Sequence, residues 1–352
     1  MASILAFFRR LLRSLGLAGP EQEAHAAPPS APAAPAPVLS APPPRVEAGL
    51  GGEAPYPPST TLAMPQLMAT SGQYPARGDG GTTAYFTQGM VQTFAAFIPA
   101  FGAPRAEGQP MQINDPPTNQ ALFSLLGTSY GGDGMHTFNL PNLDGRVAIG
   151  GQEIGMMGPL SLTMTWLIST GASTLAPVPG TLALFAGNFA PDGWAICDGS
   201  TLPISQNLPL FGAIGCAFGG NNVSVFMLPN LAAGAAPVGA GQGPGRPPVA
   251  LGQQIQGPVP GLGINYLIAT DGPCPPPSGS GAFPDTGQYL GQVIAYGGAQ
   301  VPAGWALCDG SLLQISANEP LFQLIGTSWG GDGQSDFALP DLRGRMVAGL
   351  HA

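Results

Sequence analysis

One stretch of this chain is written three times, and that constrains its fold more than anything else. Residues 193–231 carry Gly-Trp-Ala-x-Cys-Asp-Gly, then Leu-Phe, then a Gly-rich turn, then Phe-x-Leu-Pro-Asn-Leu. Residues 304–342 repeat it at an offset of 111 without a gap: Gly304-Trp305-Ala306-x-Cys308-Asp309-Gly310, Leu321-Phe322, Gly330-Gly331-Asp332-Gly333 and Phe337-x-Leu339-Pro340-Asp341-Leu342. A degraded copy ends in Leu122-Phe123, Gly131-Gly132-Asp133-Gly134 and Phe138-x-Leu140-Pro141-Asn142-Leu143. Such a period means one folded unit used three times. A residue needed for packing should recur, whereas a catalytic residue need not.

Only 8% of the 352 residues are charged, against 44% hydrophobic. An ordinary globular domain has roughly 25% charged residues. The 54 Gly and 41 Pro would normally point to low complexity, but here they recur at fixed places among Trp, Phe and Leu. Most are therefore turn chemistry within a fold. All ten basic residues are Arg and the formal net charge is −9, which argues against a basic groove for nucleic acid. Cys197 and Cys308 share a repeat position. Cys216 could pair with Cys197, but its counterpart beside Cys308 is Thr327. Buried free thiols are the simpler reading.

Residues 1–19 read as an amphipathic anchor helix. Ile4, Phe7, Phe8, Leu11, Leu12 and Leu15 form an apolar stripe, with Arg9, Arg10 and Arg13 opposite and Gly16 as a stop signal. The stretch is too short and too charged to span a membrane, and its split apolar region makes a poor secretory signal. Three uses remain: docking on a partner or assembly, on an anionic membrane surface, or on the chain itself. Residues 20–59 are rich in Pro and Ala and read as a semi-rigid linker.

The body divides into repeat 1 over residues 60–151, repeat 2 over 160–243 and repeat 3 over 260–352. Each unit opens with an apolar strand (67–72, 166–171, 266–272), followed by a second strand at 89–94, 180–185 or 291–296. In repeats 2 and 3 a tight turn then presents Trp194 or Trp305. The segment from each Trp to Cys197 or Cys308 reads as a short buried strand, closed by an Asp-Gly turn. One short helix per unit is expected over 119–127, 205–215 and 316–326. The expected fold class is mainly β with one short helix per repeat. Repeat 1 departs from the pattern: Ala103 stands for Trp, Ala106 for Cys and Glu107 for Asp, and three residues are added around Asp115–Thr118.

The chemical candidates resolve into structure. Cys-Asp at 197–198 and 308–309 lacks a recurring His to act as base. Gly-Gly-Asp-Gly offers one carboxylate where calcium wants six to eight oxygens, and repeat 2 replaces it with Gly219-Gly220-Asn221-Asn222. The Gly-rich run 239–245 is broken by Pro and lacks the Lys of a phosphate loop. Trp194, Cys197, Phe211, Phe226, Trp305, Cys308, Phe322 and Phe337 read as repeat core. Asp133, Asn221, Asn222 and Asp332 are the candidate surface-contact loops. No catalytic, cofactor or metal residue is assigned.

The string Gly-Trp-Ala-x-Cys-Asp-Gly, Leu-Phe-x-Leu-Leu-Gly-Thr-x-Tyr-Gly-Gly-Asp-Gly, Phe-x-Leu-Pro-Asp-Leu-Arg-Gly-Arg resembles the phage tail collar domain, found in tail fibre proteins and in microcystin-dependent proteins. The resemblance covers roughly residues 60–352. It implies an interaction or structural module in which three chains interlock near a receptor-binding tip. The family's His-x-His metal pattern has no match in His25, His136 or His351. Three units in one chain imply a single-chain pseudo-trimer, with three beads in a row or a homotrimer as the rival. The expected function is a fibre or collar component, in a virion or extracellular tail-like particle, that presents an attachment surface to a cell-surface receptor or glycan. The helix at 1–19 would hold it to the particle or, alternatively, to a membrane surface. A purely structural connector is the second reading. An enzyme acting on polysaccharide is remote, because no convincing carboxylate pair is present.

Overall fold

The computed structural model describes residues 60–76, 87–96, 103–115, 118–151, 153–156, 158, 160–171, 177–275 and 288–350. The expected helix at 1–19, the linker at 20–59, His25 and His351 lie outside the described residues. Repeat 1 runs β1 (Thr61–Met64), β2 (Gln66–Met68), β3 (Met90–Phe94), β4 (Pro110–Gln112), α1 (Thr118–Leu126), β5 (Thr137–Asn139) and β6 (Val147–Gly150). Repeat 2 runs β7 (Ser161–Ser169), β8 (Thr181–Phe185), β9 (Trp194–Ile196), β10 (Thr201–Pro203), α2 (Leu208–Ile214), β11 (Val225–Met227) and β12 (Ala236–Gly239). After a two-residue strand β13 (Gln254–Ile255), repeat 3 runs β14 (Gly261–Ala269), β15 (Gln292–Tyr296), β16 (Trp305–Leu307), β17 (Leu312–Gln314), α3 (Glu319–Ile325), β18 (Asp336–Ala338) and β19 (Met346–Gly349). The described body is mainly β, with one short α-helix in each repeat.

The leading strands are longer than the sequence pattern implies. β7 and β14 each hold nine residues, eight of them buried. Strands covered on both faces lose the alternation that a reader counts, so their first halves pass unnoticed. In repeat 1 Pro65 splits the equivalent strand into β1 and β2, because proline has no N–H to give the ladder. Its counterparts keep the strand whole and add side-chain bonds: Thr165 donates to the Gly187 carbonyl at 2.7 Å and Asn265 Nδ2 to the Gly298 carbonyl at 2.8 Å.

Two rings of backbone pairing join the repeats. In the first, β3, β8 and β15 pair antiparallel with one another, each start against the next one's end. Met90 faces Phe185, Thr181 faces Tyr296, and Gln292 faces Phe94. Three matching bonds close it: the N–H groups of Ala186, Gly297 and Ala95 donate to the carbonyls of Gly89, Gly180 and Gly291 at 2.9 Å each.

The second ring is built from β6, β12 and β19, the last strands of the repeats. The N–H of Gly150 donates to the Ala235 carbonyl at 3.0 Å, Gly239 to Arg345 at 2.9 Å and Gly349 to Arg146 at 3.0 Å. Gly is required at these three positions by close approach: a Cβ would collide with the carbonyl oxygen of Leu231, Leu342 or Leu143. Each of these strands also runs parallel beside the leading strand of the next repeat, β6 with β7 and β12 with β14. The third such pair, β19 with β1, joins repeat 3 to repeat 1, with Ala63 opposite Ala348. β1 and β19 are the first and last strands of the described residues, so their pairing is the seam of a closed pseudo-threefold body.

Packing follows the same symmetry. A core cluster draws on all three repeats. A smaller one gathers Val147, Ala236, Val238, Met346 and Ala348 around the second ring, covered by Val249 and Val259 from the connection between repeats 2 and 3. At each repeat boundary an aromatic residue reaches across. Tyr130 donates to the Ala186 carbonyl at 3.1 Å and Trp329 Nε1 to the Ala95 carbonyl at 3.0 Å. Phe218, at the same position in repeat 2, cannot donate. It packs instead against Gly297, where the missing side chain leaves room for the ring.

Candidate functional site

The three Gly-rich loops are built alike. The Gly pair comes first because a hairpin closes on it: a Cβ at Gly132, Gly220 or Gly331 would strike the Cα of Phe138, Phe226 or Phe337. The Asp or Asn that follows gathers the backbone of the turn. Asp133 Oδ1 accepts from the N–H groups of Met135, His136 and Thr137 at 3.0, 2.8 and 2.7 Å. Asn221 Oδ1 accepts from Val223, Ser224 and Val225 at 3.0, 2.9 and 3.0 Å. Asp332 Oδ1 accepts from Gln334, Ser335 and Asp336 at 2.8, 2.8 and 2.9 Å. One oxygen holding three N–H groups fixes the turn through the loop's own backbone.

The next residue adopts a left-handed conformation, with φ of 67° at Gly134 and Gly333 and 57° at Asn222. Asn222 is the one non-glycine residue with positive φ among the described residues, and Asn tolerates that region better than most. Hydrogen bonds to the turn hold the Asp133 and Asp332 carboxyls well below the usual carboxylate range. For Asp133 the leading cause is the Thr137 N–H, and for Asp332 the Asp336 N–H.

The loops share a frame but differ in what they show to solvent. Loop 1 presents Met135, 76% exposed, together with His136. Loop 2 presents Val223, 83% exposed, and Ser224; loop 3 presents Gln334 and Ser335.

Beneath each loop lies a conserved geometry of two phenyl rings. Phe123 and Phe138 are 5.7 Å apart, Phe211 and Phe226 5.5 Å, and Phe322 and Phe337 5.5 Å, all tilted. Phe226 and Phe337 are fully buried, while Phe211 and Phe322 are half-buried against the core. Trp194 and Trp305 are buried too, and their indole N–H groups have no hydrogen-bond partner. Little of either ring is left to stack on a ligand.

The Cys-Asp pairs each set a thiol inside the fold. All four cysteines are free thiols. Cys197 and Cys308 are buried, and burial, then the charge of Asp198 or Asp309, pushes their thiols up and away from the reactive thiolate. Asp198 Oδ1 accepts from the Ser200 N–H at 2.9 Å and from the Ser200 hydroxyl, and Asp309 binds Ser311 in the same way. The arginines after the last motif brace turns. Arg343 Nε donates to Asp341 Oδ1 at 2.9 Å, and Arg146 Nη1 to Asn142 Oδ1 at 2.9 Å. Arg246, from the connection between repeats 2 and 3, adds a bond to Asp341 Oδ2 at 2.6 Å. Sequence reasoning missed this clamp, because the partners are 95 residues apart. It also missed the cross-boundary residues Tyr130 and Trp329. Their signal was the aromatic residue recurring three before each Asp or Asn.

The family model described as Phage Tail Collar Domain matches residues 89–148, 180–235 and 291–347. Each matched stretch begins at the Gly opening a strand of the first ring and ends in or beside a strand of the second. No curated protein and no solved structure matches the chain.

Proposed function

We propose, from the premise that this chain carries three tandem phage tail collar domains, that it is a component of a phage tail or tail fibre whose three loops present an attachment surface. The domain itself supports the tail or fibre context and a structural role. The finer reading is that Asp133, Asn221 with Asn222, and Asp332 hold three contact loops toward a cell-surface receptor or glycan.

One observation carries this reading. The three loops keep the same core frame, one side-chain oxygen accepting from three backbone N–H groups, while their solvent-facing residues diverge, from Met135 and His136 to Val223 to Gln334. Packing requires the frame, so the frame recurs. Nothing in packing requires the exposed residues, so they are open to a partner. A loop already ordered by its own bonds has little entropy to lose on contact.

The test is saturable binding of the labelled full-length chain to intact bacterial cells and to isolated surface polysaccharide. Substitutions Met135→Ser, Val223→Ser and Gln334→Ala should each weaken that binding without changing the fold. Binding untouched by all three would place the contact elsewhere. No binding across a broad panel would favour a structural connector within the tail.

A further inference from the structure

A cavity of about 40 Å³ lies between the two rings, lined by matching positions from all three repeats. The leading strands contribute Gln66, Trp166 and Tyr266 at one such position. Trp166 spends its indole N–H on the Ala148 carbonyl at 3.4 Å, and Tyr266 its hydroxyl on the Pro237 carbonyl at 3.2 Å. Gln66 is the exception. It is 6% exposed, it lines the cavity, and its Oε1 has no hydrogen-bond partner in the protein. Repeat 1 also supplies Gln92, whose Oε1 accepts from Gln292 Nε2 at 2.7 Å, and Thr93. The same places in repeats 2 and 3 hold Ala183, Ile294, Leu184 and Ala295.

We propose that this axial cavity is a hydration site, holding ordered water that donates to Gln66 Oε1. Three observations converge on this. The space open to the centre of a water, about 40 Å³, exceeds the roughly 10–15 Å³ that one water needs. A buried amide oxygen without a partner is costly, and an internal water is the usual remedy. The amide and aliphatic hydroxyl groups all come from repeat 1, so one wall of the cavity is polar and the other two are largely apolar. A cation is a poor match, because a hard ion wants six or more oxygens and this site offers one unpaired amide oxygen. An apolar gas atom is a poor match because it would leave Gln66 Oε1 unsatisfied.

The test uses the full-length, isotope-labelled chain. Magnetisation transfer from long-lived water should reach the side-chain amides of Gln66 and Gln92, and the transfer to Gln92 should vanish in Gln66→Met. Xenon under pressure tests the wild-type protein independently of any variant. It should leave the methyl signals of Val91 and Val293 unmoved. Water transfer to the Gln92 amide that Gln66→Met abolishes, with no xenon shift, supports the hydrated site. Xenon entering the wild-type cavity overturns it. So does the absence of water transfer, whether or not xenon binds, since Gln66 would then be satisfied by rearrangement of its own side chain.

Discussion

Repeat 1 and repeats 2 and 3 occupy equivalent places in the ring with different side chains. The backbone scarcely registers the difference. Ala106 donates to the Gln66 carbonyl at 3.0 Å, as Cys197 does to Trp166 and Cys308 to Tyr266 at 2.9 Å. Leu143 donates to Ala106 at 2.7 Å, as Leu231 does to Cys197 and Leu342 to Cys308 at 2.8 Å. What changes is the filling. A Trp becomes Ala103, a Cys becomes Ala106, a strand is cut at Pro65, and axial Trp and Tyr become Gln66. The ring is therefore specified by backbone pairing and by a few obligatory glycines and phenylalanines, and the remaining core positions are negotiable.

The largest effect should come from the second ring. Gly239→Ala places a Cβ against the Leu342 carbonyl, a clash with backbone that cannot relax cheaply. It should cost upwards of about 3 kcal/mol, read as loss of cooperative thermal unfolding. Gly150→Ala and Gly349→Ala should cost as much. A mild effect at any one of the three would break the claimed equivalence of the repeats.

Next come the buried rings. Phe337→Ala, Phe226→Ala and Phe138→Ala should each cost about 3–5 kcal/mol in chemical denaturation. Trp194→Ala should fall at the low end of that range, about 3 kcal/mol. Repeat 1 closes with Ala103 buried at that place, and the lost indole N–H was unpartnered. A larger loss at Trp194 than at Phe226 would show that the repeats are less interchangeable than their backbones imply.

The loops should separate by pH. Their folded-state carboxyl pKa values are depressed at Asp133 and Asp332, so the hold on loops 1 and 3 is complete above the unfolded pKa of about 4. It is lost as pH falls below that value through the folded pKa. Asn221 does not titrate. Amide exchange at residues 135–137 and 334–336 should accelerate in acid, while residues 223–225 keep their pH-corrected protection. Asn221→Asp should give loop 2 the same acid sensitivity.

The smallest effect is chemical. Cys274 is exposed and should react with a thiol reagent at once, whereas Cys197 and Cys308 should react only on unfolding. Cys197→Ala should be mild, since Ala106 fills the same place in repeat 1. Rapid modification of Cys197 in the folded chain would mean that the repeat core opens.

Much of the unit was legible in the sequence, because the residues that define it are local. The strands at β3, β8 and β15, the Trp segments at β9 and β16, and the helices fell where spacing put them, although α2 and α3 begin at Leu208 and Glu319, three residues later than read. Pro209 and Pro320 favour the first turn of a helix, and short 3₁₀ turns occupy the preceding residues. The closing strands β6, β12 and β19 were not legible. Val147–Gly150, Ala236–Gly239 and Met346–Gly349 are four-residue runs whose partners lie in other repeats, and no local pattern reports such pairing. The loop frames were legible as turns through Gly and Asx. Their divergence at Met135, Val223 and Gln334 is written in the sequence too, but that these residues face solvent became visible only in the structure.

The seam offers the most direct test of the ring. Ala63 and Ala348, paired across β1 and β19, would both be replaced by Cys for a short bifunctional thiol cross-linker. Chains carrying ordinary and heavy nitrogen would be mixed, refolded together and cross-linked, and the linked peptides weighed. Closure within one chain predicts linked peptides that are wholly light or wholly heavy. Linked peptides with one light and one heavy half, at the frequency of random mixing, would show that the seam is closed by another chain and would contradict the single-chain ring.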